Sequence, residues 1–168
     1  MKLCSRLALL LATLLLAACA TPASIPPGTS EAEVIKALGQ PTSRSITPGV
    51  GPRLLYSQQP FGFEVWALQF DEQGREISAA QMLTEVQFAK VRPGEQTRTD
   101  IERLFGPPAE RFTFHLIDET ANMYRFLESG VFKMAFWVQF NRQDVVTSTG
   151  TTLDPWSTRD GDGGGQRH

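Results

Sequence analysis

The side chains best suited to chemistry are scarce in this chain, which has two cysteines, Cys4 and Cys19, and two histidines, His115 and His168. A thiolate can act as a nucleophile or metal ligand, and an imidazole can transfer protons or bind a metal. Only His115 lies away from the chain ends. We therefore expect no catalytic site, no metal centre and no cofactor, because each requires several converging groups.

Cys19 ends a segment with the features of an export signal. Lys2 and Arg6 precede an uncharged apolar run that is too short to span a bilayer. Residues 16–19 read Leu-Ala-Ala-Cys, which resembles the lipobox at which bacterial lipoproteins are cleaved and acylated. We predict that residues 1–18 are a lipoprotein signal peptide and that Cys19 is lipidated. Ordinary signal cleavage, with Cys19 incidental, is the alternative.

The lipobox and the charge balance indicate where the chain acts. Ala20 follows the lipidated cysteine, and resemblance to lipoproteins then implies lipid anchoring in the outer membrane, on its periplasmic face. Without Lys2 and Arg6, 14 basic and 18 acidic residues remain, for a formal net charge of −4. No basic stripe indicates nucleic acid. We expect the membrane as a partner through Cys19, no nucleic acid and no small-molecule substrate.

A sixteen-residue motif occurs twice, at residues 26–41 and 93–108, with a constant offset of 67. Each copy contains a capping box, two apolar residues on one helix face, and a glycine and proline that end the helix. The matched pairs are Ser30 and Thr97, Glu33 and Asp100, Val34 and Ile101, Leu38 and Phe105, Gly39 and Gly106, and Pro41 and Pro108. We predict two short helices, which must pack against other elements to persist.

Strand patterns follow each predicted helix. They lie at residues 54–57, 63–70 and 76–82 in the first copy, and at 123–127, 132–140 and 145–151 in the second. The offset between these strands is 70, which places a three-residue insertion around residues 109–122. Alternating apolar residues there predict an additional edge strand that the first copy lacks or shortens.

These patterns predict an α+β fold class, with two tandem helix-plus-antiparallel-sheet repeats and the helices on one face of each sheet. The expected organisation is a signal peptide (1–18), a lipidated cysteine and tether (19–27), a first repeat (28–83), a linker helix (84–92), a second repeat (93–154) and a disordered tail (155–168).

The faces of the predicted central strands suggest where a partner could bind. One face, which includes Trp66 and Phe70, is expected to lie under the helix. The opposite face carries Phe63, Val65 and Trp137, which are too apolar for a freely solvated surface. Two explanations stay open: the copies pack these faces together in a shared core, or the three residues form a partner-binding surface.

The repeated motif resembles that of the SmpA/OmlA (BamE-like) lipoprotein family. The residues that carry the resemblance are Gly28, Ser30, Glu33, Val34, Leu38, Gly39 and Pro41, followed by Tyr56, Trp66, Phe70, Asp71 and Gly74. This chain differs from the single-copy pattern of the family in having two copies, an arrangement similar to that of β-lactamase inhibitor protein. The resemblance implies a non-catalytic, scaffolding role at the outer membrane.

Three hypotheses about function follow. The first is a protein-binding or structural factor in outer-membrane β-barrel assembly or envelope integrity, with components of the barrel-assembly machinery as partners. The second is a periplasmic inhibitor or ligand-sensing module that grips its target between the two copies. The third is a hydrolase, which would have to depend on His115; we expect instead that His115 is a solvent-facing strand residue.

Overall fold

A computed structural model describes residues 20–116 and 118–159 of the chain. The predicted signal peptide, Cys19 and His168 lie outside the described residues. The elements are a 3-10 turn at Pro22–Ser24, α1 (Glu31–Leu38), β1 (Ser43–Thr47), β2 (Gly51–Ser57), β3 (Val65–Phe70), β4 (Glu76–Gln81), α2 (Glu85–Phe88), α3 (Arg98–Phe105), β5 (Glu110–Phe114), β6 (Glu119–Glu128), β7 (Phe132–Phe140), β8 (Val146–Leu153) and α4 (Pro155–Arg159).

The strands form two separate four-stranded antiparallel sheets, each in sequential order. The first sheet has the order β1-β2-β3-β4 and the second β5-β6-β7-β8. Each sheet is a meander of hairpins, so every strand pairs with its neighbour in the chain. In both sheets the register shifts near the start of the last strand, opposite Gln69/Phe70 and Gln139/Phe140.

The predicted fold class, α+β with tandem helix-plus-sheet repeats and helices packed on the sheets, is wrong. The structure is mostly β, and helix accounts for 19% of it. The helices are too short to form a layer, since α1 buries only Val34 and α3 only Ile101 and Phe105. The prediction also missed β1, which is as long as its counterpart β5. The first sheet therefore neither lacks nor shortens the edge strand.

The predicted helix boundaries are confirmed at both copies of the motif. The Ser30 hydroxyl accepts a hydrogen bond from the Glu33 N–H, and the Glu33 carboxylate accepts one from the Ser30 N–H. Thr97 and Asp100 repeat this capping box at α3. The Ser30 and Thr97 hydroxyls also donate hydrogen bonds to these carboxylates. These bonds and the backbone N–H bonds to the carboxylates lower the pKa of both carboxyl groups, because hydrogen bonds to the charged form stabilise it. The local sequence alone therefore determines where the two helices start.

One hydrophobic core joins the two sheets. Leu55, Val65 and Ala67 of the first sheet belong to the same buried cluster as Phe136 and Val138 of the second. A smaller cluster on the other face of the first sheet contains Val34, Leu54, Leu68 and Phe70. The first sheet is thus covered on both faces. Its second face is buried in a shared core, but against the face of Phe136 and Val138. The explanation that the two second faces pack against each other is therefore wrong, because Trp137 lies on the other side of its sheet.

The segment between the sheets supplies the centre of that core. Phe88 of α2 stacks on Phe136 with ring centroids 3.9 Å apart, and meets Phe126 edge-on at 4.9 Å and Phe105 at 5.8 Å. Arg53 of the first sheet donates hydrogen bonds to two carbonyls in the last turn of α3, those of Arg103 and Leu104. The two sheets are consequently held together by both apolar and polar contacts.

Glu76 of β4 is a buried carboxylate whose Oε2 has no hydrogen-bond partner among the described residues. Its side chain is only 3% exposed, and desolvation raises its pKa. Because the folded pKa is raised, the group favours folding most when protonated, and this contribution is lost as the pH rises through the folded pKa.

We therefore expect Glu76→Gln to raise the free energy of unfolding at pH 7 by about 1 kcal/mol. The gain should shrink towards pH 4, where the carboxyl of the parent protein becomes protonated and neutral. Urea denaturation of both proteins at the two pH values measures the difference. An equal effect of the substitution at pH 4 and pH 7 would contradict this assignment.

Candidate functional site

The second sheet has one face in the shared core and one face turned away from it. We define the outer face by seven residues: Phe112 and Phe114 of β5, Trp137 and Gln139 of β7, and Ser148, Gly150 and Thr152 of β8. They alternate along their strands with residues of the core cluster, such as Phe136 and Val138. Phe114, Ser148, Gly150 and Thr152 are exposed, and Phe112, Trp137 and Gln139 are half-buried.

A cavity of about 320 Å³ opens on the outer face. Phe114 and Trp137 supply its aromatic walls, and β8 from Ser148 to Thr152 lines one side. The cavity exists beside β8 because Gly150, the register partner of Trp137, has no side chain. A Cβ placed on Gly150 would meet no atom within 4 Å. The cavity is therefore open space against an aromatic ring.

Hydrogen bonds fix the side chains around this cavity. The Trp137 Nε1–H donates to Thr152 Oγ1 at 2.9 Å, and the Ser148 hydroxyl donates to Gln139 Oε1 at 2.6 Å. The ring of Phe112 lies 5.1 Å from that of Trp137, at an angle of 54°. The surface is preorganised and lined by apolar rings and neutral polar groups, which are typical of interface anchors and their rims.

One end of the outer face is closed by a buried ion pair. Arg125 of β6 donates through Nε and Nη2 to Asp154 Oδ2, at 2.9 and 2.7 Å. Its Nη1 donates to the carbonyl of Pro60, in the loop between β2 and β3. The guanidinium also lies over the rings of Phe63 and Trp156, 4.7 and 4.6 Å from their centroids. This cluster joins the first sheet, the second sheet and α4.

The carboxy-terminal part of the chain is ordered further than the sequence predicted. Pro155–Arg159 forms α4, although residues 155–168 were expected to be a disordered tail. The Trp156 Nε1–H donates to Glu110 Oε2 at 3.0 Å. Glycines after residue 160 dominate the composition of the tail. The composition therefore gave no indication that Trp156 anchors the first part of it. Residues 160–168 lie outside the described part.

The three residues predicted as a partner surface do not lie together. Val65 is fully buried in the shared core, so the prediction that it lies on a partner surface is wrong. Phe63 lies half-buried against the Arg125 guanidinium. Trp137 alone lines the cavity of the outer face. The cause is that the two sheets do not have equivalent environments: the face that is buried in the shared core in the first sheet lies outside that core, and is partly open, in the second.

His115 lies in the exposed turn between β5 and β6, and not on a strand as predicted. Among the described residues, no group of three or more histidine, cysteine, aspartate or glutamate side chains could hold a metal ion. Within the same residues, no helix is long and apolar enough to cross a bilayer.

A polar cluster under the second sheet has a structural role. Arg98 donates to Asn122 Oδ1 at 2.9 Å and also bonds the Thr120 hydroxyl. The Tyr124 hydroxyl donates to the carbonyl of Gly106 at 3.1 Å, and burial raises the pKa of this phenol well above its usual value. These bonds tie α3 to β6, so the polar groups are occupied in positioning the helix.

Sequence reasoning missed most of the outer face. The alternation of Phe112 and Phe114 predicted an edge strand, but nothing in the local pattern placed that strand near Trp137. Ser148, Gly150 and Thr152 belong to a threonine-rich stretch without apolar alternation. Gly150 in the interior of a strand was the available signal, because a strand glycine has no side chain to pack and can mark a place where a ligand approaches.

Comparisons with known proteins give no relative from which function could be transferred. No protein-family model, no curated protein and no solved structure matches the chain.

Proposed function

We propose that this protein is a non-catalytic, lipid-anchored outer-membrane protein that binds a partner protein through the outer face of its second sheet. Its role would lie in β-barrel assembly or envelope integrity. The observation that carries the proposal is the open part of the outer face, where Trp137 and Phe114 surround a cavity of about 320 Å³. Exposed aromatic anchors bordered by neutral polar groups are typical of protein-binding surfaces.

The location and process in this proposal rest on the sequence. The lipobox at Cys19 supports anchoring by lipid, and Ala20 after it supports export to the outer membrane. The resemblance of the repeated motif to the SmpA/OmlA family supports a place in barrel assembly. A target gripped between two equivalent copies is less well supported, because Val65 and Ala67 of the first sheet are buried in the shared core.

The binding surface can be tested in cells with a photocrosslinking amino acid. Position 114 places it on the outer face, at a residue 37% exposed in the parent chain, and position 77 places it on β4 at a residue 53% exposed. We expect a crosslink to a barrel-assembly component from position 114 and not from position 77. Recovery of no such component, together with unchanged envelope permeability after deletion of the gene, would refute the proposed role.

The anchor needs a separate experiment. We expect Cys19→Ser to move the protein from the outer-membrane fraction to the soluble periplasmic fraction, because it removes the thiol that is predicted to be acylated. Cys4→Ser is the matched control, since Cys4 lies within the predicted signal peptide. Unchanged membrane association of Cys19→Ser would refute lipid anchoring and leave the binding surface to be judged by the crosslinking result.

A further inference from the structure

The last strand of the second sheet presents an unprotected edge. β8 is eight residues long and lies at the end of the sheet. Of the four edge strands in the described chain, β8 alone has no charged residue. Charged side chains and prolines are the usual means by which proteins prevent an edge from pairing with another chain. Neither occurs in β8, so its sequence permits pairing.

Within the part of the chain that the structure describes, only the start of this edge is covered. The N–H of Val146 donates to the carbonyl of Gln96 at 2.9 Å, and the carbonyl of Val146 accepts from the N–H of Gly94 at 2.8 Å. Beyond Val146, no backbone hydrogen bond to the outer side of β8 is formed by the residues described. The open stretch runs from Thr147 to Leu153, and its residues are exposed.

The hydrogen bonds to β7 show which backbone groups are free. The N–H of Asp154 donates to the carbonyl of Lys133 at 3.0 Å. In an antiparallel pair the bonded positions alternate, so Ser148, Gly150 and Thr152 direct their backbone groups towards β7. Thr149, Thr151 and Leu153 direct theirs away from it. A further strand would find these donors and acceptors in the spacing of a ladder.

The cavity lies where such a strand would place a side chain. Residues directly opposite one another in neighbouring strands point to the same face. A side chain opposite Gly150 would therefore lie on the outer face, beside Trp137 and inside the cavity. The edge would supply affinity through main-chain bonds, and the cavity would select the side chain, as in β-strand addition generally.

We propose that β8 binds an extended segment of a partner polypeptide as a fifth strand of the second sheet, with a bulky apolar side chain opposite Gly150. This inference rests on the proposed function and specifies how the partner is bound. A second copy of the chain fits less well, because the β8 residues on the outer face, Ser148, Gly150 and Thr152, are too small to fill the cavity. A foreign segment with phenylalanine or leucine at that position fills it.

The test uses the full mature protein in detergent and a fluorescent heptapeptide, acetyl-Thr-Val-Thr-Phe-Thr-Val-Thr-amide. Two derivatives carry N-methyl groups on either the odd-numbered or the even-numbered amides, so that each blocks one edge of the peptide. Fluorescence anisotropy should show about tenfold weaker binding for one derivative and about unchanged binding for the other, because only one edge meets β8. Loss of binding by both derivatives, or by neither, would overturn strand addition, as would no binding of the parent peptide.

Variants of the protein locate the peptide. Thr151→Pro removes an outward N–H without removing a bond to β7, and we expect about tenfold weaker binding, whereas Thr151→Val should bind as the parent does. Trp137→Ala should remove the preference for phenylalanine over alanine at the central position of the peptide. Equal binding by Thr151→Pro and Thr151→Val would overturn the proposal.

Two further results separate this inference from the proposed function. A crosslink from position 114 that survives Thr151→Pro but is lost in Trp137→Ala would keep the outer face as the binding surface and overturn strand addition. A dimer in light scattering that Thr151→Pro dissociates would overturn the foreign segment in favour of a second copy. A monomer that binds the peptide through β8 is the expected result.

Discussion

Replacement of Asp154 by alanine should lower the free energy of unfolding by about 3–5 kcal/mol, because it leaves a buried guanidinium without its counter-charge. Asp154 is fully buried and Arg125 is 7% exposed. Both Nε and Nη2 of Arg125 bond Asp154 Oδ2, at 2.9 and 2.7 Å. Urea denaturation followed by tryptophan fluorescence measures the loss.

An exposed ion pair is the matched control for Asp154→Ala. Arg44 and Glu31 form a bidentate pair, but the Arg44 side chain is 45% exposed. Solvent screening leaves such a pair little net value, and we expect Arg44→Ala to cost less than about 1 kcal/mol. A cost of Asp154→Ala no larger than that of Arg44→Ala would show that the buried pair does not hold the end of the outer face.

The double variant Arg125→Met/Asp154→Leu tests the physical cause. Replacing both members of a buried ion pair removes the uncompensated charge and commonly restores stability. Recovery should be partial here, because Arg125 also donates to the carbonyls of Pro60 and Phe61. A double variant as unstable as Asp154→Ala alone would assign the loss to the contacts of Arg125 with the loop, and not to its unpaired charge.

Local chemistry explains which elements could be predicted from the sequence. Residues three positions apart, such as Ser30 and Glu33, determine where helices α1 and α3 begin. Strands β3 and β7 follow from their apolar residues. The sequence did not predict β1, because Ser43–Thr47 contains one apolar residue and is stabilised by pairing with β2. Strong helix signals next to weak strand signals led to the wrong fold class.

The candidate site depends on how the two sheets pack, which no local pattern encodes. The sequence identified Trp137 as an apolar residue on the second face of its strand, and the structure places it at the cavity. The same strand pattern placed Val65 on the second face of its own strand as a partner-surface residue, although Val65 lies in the core. Equivalent positions in a repeated sequence have different environments once one copy covers the other. Arg125 and Asp154 were missed because 29 residues separate them.

The packing of the two sheets has its own test, because one ring lies at the centre of the contact. Phe88 is 7% exposed and contacts Phe105, Phe126 and Phe136. We expect Phe88→Ala to lower the free energy of unfolding by about 3–5 kcal/mol, through lost burial and the cavity left behind. Val86→Ala, two residues away at a position 72% exposed, should change it by less than about 0.5 kcal/mol.

The form of the unfolding curve shows whether the sheets share their stability. Since Phe88 belongs to a cluster with Leu55 and Val65 of the first sheet and Phe136 of the second, both sheets should lose stability together. We expect Phe88→Ala to keep a single transition, with the same midpoint by tryptophan fluorescence and by far-ultraviolet circular dichroism. Two separated transitions would mean that each sheet folds alone. The cavity beside Trp137 would then be held by the second sheet and Arg125 without support from the first.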